Sequence, residues 1–324
     1  MHVIRLVALG GPAIGHGHIA RAIALGGALA RRGAVVELEL LAGTLTPGEL
    51  SRARTAGLVV VEGGASQGPA EFVVLDVPNP TAEASRYAPD RLLVFDDRDA
   101  FAGRAAVVVQ PSQPAWSGPG EAGTVLAGYR YVPLDAAYGE RRGMAAPTRV
   151  SDPVRSRVVV CFGGSDPADV TNRVAGALAD ATPSLEVVVG ASYHGTFAGG
   201  AAALVRDPVD LPDRLAAADL AIVGAGTMKF EVACLGRPAV LLAVADDQLP
   251  VGPPYAATGA AAYLGDGRTI SPAAVAAAVQ GLLADKVRLE AMGRTAAELV
   301  DGRGADRIAD AILSSARPVP RRTA

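Results

Sequence analysis

The sequence predicts two doubly wound α/β domains, each with a parallel sheet covered by helices. Short runs of Val, Leu and Ile alternate with helical stretches rich in small residues, which is typical of strands buried on both faces. This alternation occurs twice, before and after a segment of turn-forming residues. With 324 residues, the chain is long enough for two cores. We therefore expect a first domain over residues 1–150 and a second over residues 151–324.

The first domain is expected to start with a strand at residues 4–9, a glycine-rich loop and a helix at residues 19–32. Later apolar runs predict further strands, at residues 35–41, 58–61, 72–75, 92–95 and 106–109. Polar residues follow several of these strands: Asp76, Asp96, Asp97 and Gln110. Ligands of open α/β sheets bind outside the carboxyl ends of the strands, so a binding site is expected there.

The second domain repeats the pattern after a candidate linker at residues 143–153. Strands are expected at residues 157–162, 185–189, 203–205, 220–223 and 239–242, and the end is helical from residue 271 to about 313. Asp166 as N-cap, Pro167 at the first helical position and Asp169 form a helix-start signature. A second glycine loop precedes a helix at residues 228–235. A cleft between the two domains is the natural place for a substrate.

Composition excludes several classes of protein. The formal net charge is −3 with both signs spread along the chain, so a nucleic-acid partner is not expected. No apolar run reaches the roughly 18–20 residues of a transmembrane helix, and the start lacks the features of a signal peptide, so we expect a cytoplasmic protein. Cys161 and Cys234 lie in apolar segments without a CxxC partner, which is typical of core thiols. The oligomeric state is left open.

His18 stands at the entrance of the first predicted helix, directly after the glycine-rich loop. A neutral imidazole there would be a competent general base, and the positive helix end is expected to lower its pKa. The alternative is a histidine that merely satisfies the local backbone. The spacing of His16 and His18 also suggests a metal, but no third ligand of suitable type is nearby, so none is predicted.

The same loop contains Gly15, Gly17 and Ala20 at the spacing of a dinucleotide fingerprint, with Glu37 and Glu39 about twenty residues further on. In that fingerprint the first glycine directly follows the strand, whereas five residues intervene here. We therefore rank a dinucleotide site well below the other interpretations, and no cofactor is predicted.

Two loops of the second domain are candidates for binding a diphosphate. Each lies between a strand and a helix, where backbone N–H groups can bind an anion, although either could be only a tight turn. Glu231 could reach a ribose or be a solvated helix residue, and the pair Asp247 and Gln248 could bind sugar hydroxyls or belong to a solvated loop. The loop residues are Gly163, Gly164, Ser165 and Asp166 in the first, and Gly226, Thr227 and Met228 in the second.

These motifs occur in an order that resembles a known family. They are Ile14-Gly15-x-Gly17-His18-x-x-Arg21, Phe95-Asp96-Asp97, Gly128-x-x-Tyr131, Gly163-Gly164-Ser165-Asp166, Gly226-Thr227 with Glu231 and Gly236-x-Pro238, and Asp247-Gln248. The chain resembles the UDP-sugar hydrolase of pseudaminic acid biosynthesis and its spore-coat-polysaccharide relatives over nearly its whole length. Its second half is also similar to the C-terminal domain of MurG-type glycosyltransferases. The resemblance implies a GT-B fold, two Rossmann-like domains facing across a cleft.

The resemblance implies roles for individual residues. His18 would be the base that activates the acceptor, with Gly15, Gly17, Arg21 and Asp97 on the sugar or acceptor side. The nucleotide would lie against Gly163–Asp166 and Gly226–Met228, with Glu231 on the ribose. Asp247 and Gln248 would face the sugar or the phosphate.

Two departures from the family bear on the reaction. The hydrolases usually have an acidic residue just after the first strand, and this chain has none at residues 6–20. Their Asn-Gln pair near the sugar is Asp247-Gln248 here. We therefore expect a metal-independent glycosyltransferase that uses a nucleotide-diphosphate sugar and a small-molecule acceptor. A nucleotide-sugar hydrolase is the alternative, and a catalytically silent nucleotide-sugar-binding protein is a third possibility.

Overall fold

A computed structural model describes most of the chain, namely residues 2–11, 15–61, 68–143, 156–179, 182, 184–197 and 202–316. It divides into two compact units, the first formed by Met1–Asp135 with Gly302–Ala324 and the second by Ala136–Asp301. The predicted boundary at residue 150 and most of the predicted linker lie outside the described residues. The C-terminal segment belongs to the first unit, which differs from the expected division.

The first unit contains a seven-stranded sheet in the order β3-β2-β1-β4-β5-β6-β7, in which all neighbouring strands are parallel. Its strands are β1 (Val3–Leu9), β2 (Val35–Ala42), β3 (Leu58–Val61), β4 (Phe72–Asp76), β5 (Leu92–Phe95), β6 (Arg104–Gln110) and β7 (Glu121–Ala127). Its helices before residue 135 are α1 (Gly17–Arg31), α2 (Pro47–Thr55) and α3 (Pro80–Ala84). Because the strand order reverses at β1, the carboxyl ends of β1 and β4 flank the switch point, where such sheets bind ligands.

The second unit contains a six-stranded parallel sheet in the order β10-β9-β8-β11-β12-β13. Its strands are β8 (Arg157–Cys161), β9 (Ser184–Val189), β10 (Ala203–Arg206), β11 (Leu220–Gly224), β12 (Ala239–Ala243) and β13 (Ala261–Asp266). Its helices are α4 (Ala136–Arg141), α5 (Val170–Leu178), α6 (Leu211–Ala216), α7 (Met228–Cys234), α8 (Gly252–Ala256), α9 (Pro272–Ala284) and α10 (Lys286–Leu299). The switch point of this sheet lies between β8 and β11. The predicted fold class, two parallel-sheet α/β domains, is confirmed.

The C-terminal helix α11 (Gly304–Ser315) packs in the first unit. Its residues Ile308 and Ile312 are buried in the same core as Leu25 and Leu29 of α1. Arg32 at the end of α1 donates hydrogen bonds to the carboxylates of Asp306 and Asp310. Burying this apolar helix face removes it from water, which is why the segment folds with α1.

The inner strands of both sheets are buried on both faces, as the runs of Val, Leu and Ile predict. In β1, Leu6 and Val7 are both buried but belong to different apolar clusters, one on each side of the sheet. Cys161 and Cys234 are buried free thiols, which confirms the prediction of core cysteines. Burial raises the pKa of Cys161 to about 12 and that of Cys234 to about 11.

Helix α5 starts later than the sequence predicts. Pro167 and Ala168 form a turn, Asp169 adopts a left-handed conformation with φ of 53°, and the helix begins at Val170. The side chain of Asp166 nevertheless accepts a hydrogen bond from the backbone N–H of Thr171, at 2.7 Å. Asp166 therefore binds a free N–H of the first turn, but the N-cap position is Asp169. The prediction of Asp166 as N-cap and Pro167 as the first helical residue was wrong, because the left-handed residue inserts an extra turn.

None of the helices in the described ranges is both long enough and apolar enough to cross a membrane.

Candidate active site

A tight loop leads from β1 to His18. The backbones of Gly11 and Gly15 exchange two hydrogen bonds, of 3.1 and 2.8 Å, which close the loop. Gly15 has φ of 90°, a conformation that favours glycine, so this glycine is needed for the backbone itself. The residues between them, Ile14 of the sequence motif included, lie outside the described residues. Helix α1 then begins at Gly17, which places His18 in its first turn.

His18 is hydrogen-bonded to a buried carboxylate. Its Nδ1 lies 2.6 Å from Oδ1 of Asp76, the last residue of β4, whose side chain is 3% exposed. Because β1 and β4 are neighbours, the loop after β1 and the end of β4 meet at the switch point of the first sheet. From the sequence, Asp76 was expected only as a polar residue at a strand end and not as part of the site.

This contact determines which ring nitrogen is available for chemistry. An ionised carboxylate only accepts hydrogen bonds, so the neutral imidazole carries its proton on Nδ1 and leaves the Nε2 lone pair as the acceptor. Nε2 has no hydrogen-bond partner among the residues that the structure describes, and the His18 side chain is 20% exposed. The geometry is that of a histidine oriented by a carboxylate, with Nε2 placed to accept a proton.

Arg21 lies one helical turn after His18 and links two carboxylates. Its Nε and Nη2 donate to Oδ2 and Oδ1 of Asp76, at 3.0 and 2.6 Å, and its Nη1 donates to Oδ2 of Asp97 at 2.6 Å. The guanidinium carbon also lies 5.0 Å from the centre of the Phe95 ring. Arg21 is buried, so its donor groups face protein carboxylates, and we assign it to orienting the site.

The charges of this cluster reinforce one another. Burial alone would raise the pKa of Asp76, but the charges of Arg21 and His18 and their hydrogen bonds outweigh it and hold the pKa below its usual range. Burial would likewise lower the pKa of Arg21, but the charges of Asp76 and Asp97 and their hydrogen bonds outweigh it, so the pKa of Arg21 lies above its usual value. The cluster therefore keeps Asp76 ionised beside the imidazole.

The two neighbouring residues Asp96 and Asp97 have different roles. Asp96 is buried and accepts hydrogen bonds from the backbone of Ala100 and Phe101 and from the indole N–H of Trp116. Asp97 is 29% exposed and accepts a hydrogen bond from Ser112 in addition to that from Arg21. Asp96 therefore shapes the loop, while Asp97 joins the charged cluster.

His16 is held away from this cluster. Its Nδ1 lies 2.8 Å from Oε1 of Glu49, which also completes the capping box of α2 with Thr46. Burial would raise the pKa of Glu49, but the hydrogen bonds from His16 and Thr46 outweigh it and lower the pKa. The two histidines thus have separate carboxylate partners. In the described part of the chain, no three His, Cys, Asp or Glu side chains are arranged to hold a metal ion.

Two glycine loops lie at the switch point of the second sheet. The loop after β8 contains Gly163, with φ of 91°, and Gly164, whose carbonyl accepts a hydrogen bond from the N–H of Ser192. A Cβ on Gly190 would lie 2.4 Å from Cα of Gly164, so the loops after β8 and β9 are in backbone contact. This close approach depends on glycine at position 190, since a side chain there would meet the backbone of Gly164.

The loop after β11 is oriented by a residue that the sequence analysis missed. The buried Nζ of Lys229 donates to the carbonyls of Ala225 and Gly226, at 2.6 and 2.9 Å. Because the C=O and N–H of a trans peptide point in opposite directions, the N–H groups of Gly226 and Thr227 face away from Lys229. No simple sequence signal identifies this role, because a lysine in an amphipathic helix is usually exposed.

Gln248 lies against this loop. Its Oε1 accepts a hydrogen bond from the N–H of Val244, and its Nε2 would be 3.1 Å from a Cβ on Gly226. Gly226 and Gln248, predicted from separate motifs, are therefore neighbours in the fold. Asp247 is exposed, and its side chain makes no hydrogen bond to another described residue.

Glu231 and Asp166 are both held by groups of their own unit. Oε2 of Glu231 accepts a hydrogen bond from the buried hydroxyl of Tyr138 in α4, at 2.6 Å. Asp166 uses Oδ2 for the N–H of Thr171, and its buried Oδ1 has no hydrogen-bond partner among the described residues. Tyr138 was not predicted, because nothing in the sequence connects it with a residue 93 positions away.

No protein-family model matches the chain. A stretch of 109 residues is 38% identical to a UDP-N-acetylglucosamine–N-acetylmuramyl-(pentapeptide) pyrophosphoryl-undecaprenol N-acetylglucosamine transferase from Acidiphilium cryptum (strain JF-5). This stretch is 33% of the chain and spans 29% of the length of that curated relative.

Solved structures resemble the chain over nearly its full length. A MurG from Acinetobacter baumannii is 19% identical with a TM-score of 0.61, and the match covers 97% of this chain and 99% of that one. A putative UDP-N-acetylglucosamine 2-epimerase from Listeria monocytogenes is 13% identical with a TM-score of 0.60 and covers 96% of both chains. These similarities show the fold, two Rossmann-like domains of the kind found in GT-B glycosyltransferases such as MurG. The same fold occurs in proteins named for different reactions, so the reaction must be argued from the site.

Proposed function

We propose that the protein is a glycosyltransferase that moves a sugar from a nucleotide-diphosphate sugar to a small-molecule acceptor. The observation that carries this proposal is the hydrogen bond of His18 to the buried carboxylate of Asp76, which leaves Nε2 as a proton acceptor. General bases of this kind accelerate proton transfer by roughly 10²–10⁴-fold. The chain resembles the pseudaminic acid pathway hydrolases in its motifs, apart from the two departures described above, so their reaction is the alternative to test.

In the proposed reaction, the acceptor oxygen or nitrogen attacks C1 of the sugar while its proton passes to Nε2 of His18. The bond between C1 and the diphosphate oxygen breaks, and its electron pair leaves with the nucleoside diphosphate. Asp76 stabilises the imidazolium that forms, because its charge lies against Nδ1. The proton is then released to solvent, and the base is restored.

We assign donor binding to the second unit. The diphosphate would meet the N–H groups of Gly226 and Thr227, which face away from Lys229, and the amide of Gln248 beside them. In this proposal Glu231 binds the ribose, while Gly163, Gly164, Ser165, Asp166 and Met228 also line the nucleotide and Asp247 the sugar. Gly15, Gly17 and Asp97 line the acceptor side in the first unit.

Names of similar proteins support the choice of donor. The Acidiphilium relative is named as a transferase that uses UDP-N-acetylglucosamine, and the Listeria structure is named for the same UDP-sugar. A UDP-sugar is therefore the first donor to test. In this mechanism, hydrogen bonds from backbone N–H groups and the Gln248 amide stabilise the charge of the leaving diphosphate without a metal ion.

The experiment is a screen of UDP-, GDP-, ADP- and dTDP-sugars, with and without a panel of hydroxyl- and amine-bearing acceptors. Release of nucleoside diphosphate and of free sugar is measured by chromatography, in the presence and absence of EDTA. We expect diphosphate release that depends on the acceptor and persists in EDTA. Rapid release of free sugar without acceptor would instead establish the hydrolase. Tight nucleotide-sugar binding without any turnover would identify a binding protein.

A further inference from the structure

We infer that Asp97, acting through Arg21, sets the proton affinity of His18, so that both residues are positioning residues for the base. The inference rests on the proposed role of His18, but the geometry that carries it is independent of the substrate. The cluster runs from His18 to Asp76, from Asp76 to Arg21 and from Arg21 to Asp97, with shortest contacts of 2.6 Å at each step.

The charges of the cluster show why Asp97 matters. The buried charges of Asp76 and Arg21 cancel when they are paired, because Arg21 binds both carboxylate oxygens of Asp76. With Asp97 included, the cluster has a net charge of −1 while His18 is neutral and zero when His18 is protonated. Without Asp97, protonation of His18 would give the largely buried cluster a net charge of +1, which is unfavourable in a region with little access to water.

Arg21 itself opposes protonation of His18. Its Nη2 lies 3.0 Å from Nδ1 of His18, so a positive charge stands directly beside the ring that must become an imidazolium. Asp97 offsets that charge. Its hydrogen bond to Nη1 also holds the guanidinium plane so that Nε and Nη2 remain on Asp76.

Other groups near the cluster are already engaged. Asp96 is committed to two backbone N–H groups and Trp116, Phe95 is an uncharged ring against Arg21, and Ser112 is a neutral donor to Asp97. In the loop before α1, His16 is paired with Glu49. Among the described residues, the carboxylates that accept hydrogen bonds from Arg21 are those of Asp76 and Asp97. Removing the carboxylate of Asp97 therefore changes the net charge of the cluster and leaves Asp76 in contact with His18.

The test is an NMR titration of the His18 ring in the intact protein. The chain contains four histidines, so the spectrum of a His18→Gln variant identifies the signal. We expect Asp97→Asn to move the midpoint of this titration to lower pH by roughly 0.5–1 unit. The variant loses a negative charge that is separated from His18 only by Arg21. Asp97→Glu keeps the charge and should restore the midpoint. An unchanged or higher midpoint in Asp97→Asn would overturn the inference.

Asp99→Asn is the matched control. Asp99 lies two residues further along the same loop, where its carboxylate accepts hydrogen bonds from Gln110 and Ser117. Its φ of 53° is a conformation that asparagine tolerates, so the variant should fold. We expect it to leave the His18 midpoint in place. Movement of the midpoint in this control by as much as in Asp97→Asn would show a general charge effect and contradict the specific route through Arg21.

Kinetics give a second readout, which separates this inference from the proposed function. If the sugar transfer occurs, Asp97→Asn should lower kcat several-fold and move the acid limb of its pH profile to lower pH, with little change in KM for the donor. If no donor is turned over, the proposed function fails, yet the titration still decides the inference. Should Asp97→Asn not fold, Asp97→Ser removes the same charge with a smaller side chain and is judged by the same midpoint.

Discussion

The two units have the same design around a central parallel sheet, but they differ in what stands at the switch point. The first unit places ionisable side chains there, with His18, Arg21 and Asp97 gathered around Asp76. The second unit places glycine backbone there, with Gly163 after β8 and Gly226 after β11. The same sheet topology therefore carries two different sets of groups at its strand ends, ionisable side chains in one unit and glycine backbone in the other. Under the proposed function, the first unit would take the proton and the second would bind the nucleotide sugar.

The largest expected effect comes from removing the charge of Asp76. Asp76→Asn should lower sugar transfer by about 10²–10⁴-fold, because an amide no longer fixes the imidazole tautomer or stabilises the imidazolium. The affinity for the nucleoside diphosphate, measured by calorimetry, should stay within about twofold of the unmodified protein.

This prediction needs a stability control. Breaking a buried ion pair costs about 3–5 kcal/mol, and Asp76 is paired with buried Arg21. The variant is therefore compared by thermal unfolding and assayed well below its Tm. A large loss of nucleotide affinity in a folded Asp76→Asn protein would contradict the proposal that the second unit alone binds the nucleotide.

A substitution in the second unit should have the opposite signature. In Gly226→Ala, the added methyl group would lie 3.1 Å from Nε2 of Gln248, so the amide must move. We expect about tenfold weaker binding of the nucleotide sugar, seen as a higher Kd and KM. Gly176→Ala is the control, because a Cβ there meets open space. A Gly226→Ala protein with normal Kd would remove this loop from the donor site.

A smaller effect is expected from Tyr138→Phe, which removes the hydrogen bond to Glu231 and keeps the ring. We expect threefold to tenfold weaker binding of UDP, since a hydrogen bond to a charged group contributes about 1.5–3 kcal/mol and only part is lost with the orientation of the carboxylate. The preference for UDP over 2′-deoxy-UDP should shrink, as measured by competition. Equal loss for both nucleotides would argue against a contact of Glu231 with the ribose 2′-hydroxyl.

The smallest expected effect is at the cysteines. Burial raises the pKa of Cys161 to about 12 and that of Cys234 to about 11, so neither forms much thiolate at pH 8. Treatment of the folded protein with iodoacetamide at pH 8 should leave both thiols and the activity unchanged, while the unfolded protein should be alkylated at both. Alkylation of the folded protein with loss of activity would show that a thiol lies closer to the chemistry than the fold indicates.

The sequence predicted the strands next to the switch points well, because they are the most apolar runs. The runs at residues 72–75 and 220–223 match β4 (Phe72–Asp76) and β11 (Leu220–Gly224) to within one residue. The edge strand β7 (Glu121–Ala127) was missed, since its exposed residues lack the apolar pattern that identifies a buried strand. The later start of α5 was missed because a left-handed conformation is uncommon for a residue other than glycine, so the sequence gives no signal for it at Asp169.

The site was predicted less completely than the fold. His18 was identified from its place after the glycine loop, but its partner Asp76 is 58 residues away and is brought to it by the pairing of β1 with β4. The signal was present as a polar residue at a strand end, yet several strand ends carry one. Only the strand order shows that Asp76 stands beside His18 and that Asp96, although adjacent to Asp97, serves its own loop.

The most direct test of the central claim compares His18→Gln with His16→Gln, which replace two histidines at the start of α1 by the same amide. For each, sugar transfer is measured with the best donor, and nucleoside diphosphate affinity is measured by calorimetry. We predict a loss of about 10²–10⁴-fold in turnover for His18→Gln with Kd unchanged within twofold, and near-normal values of both for His16→Gln. Normal turnover in His18→Gln, or equal losses in the two variants, would contradict the account.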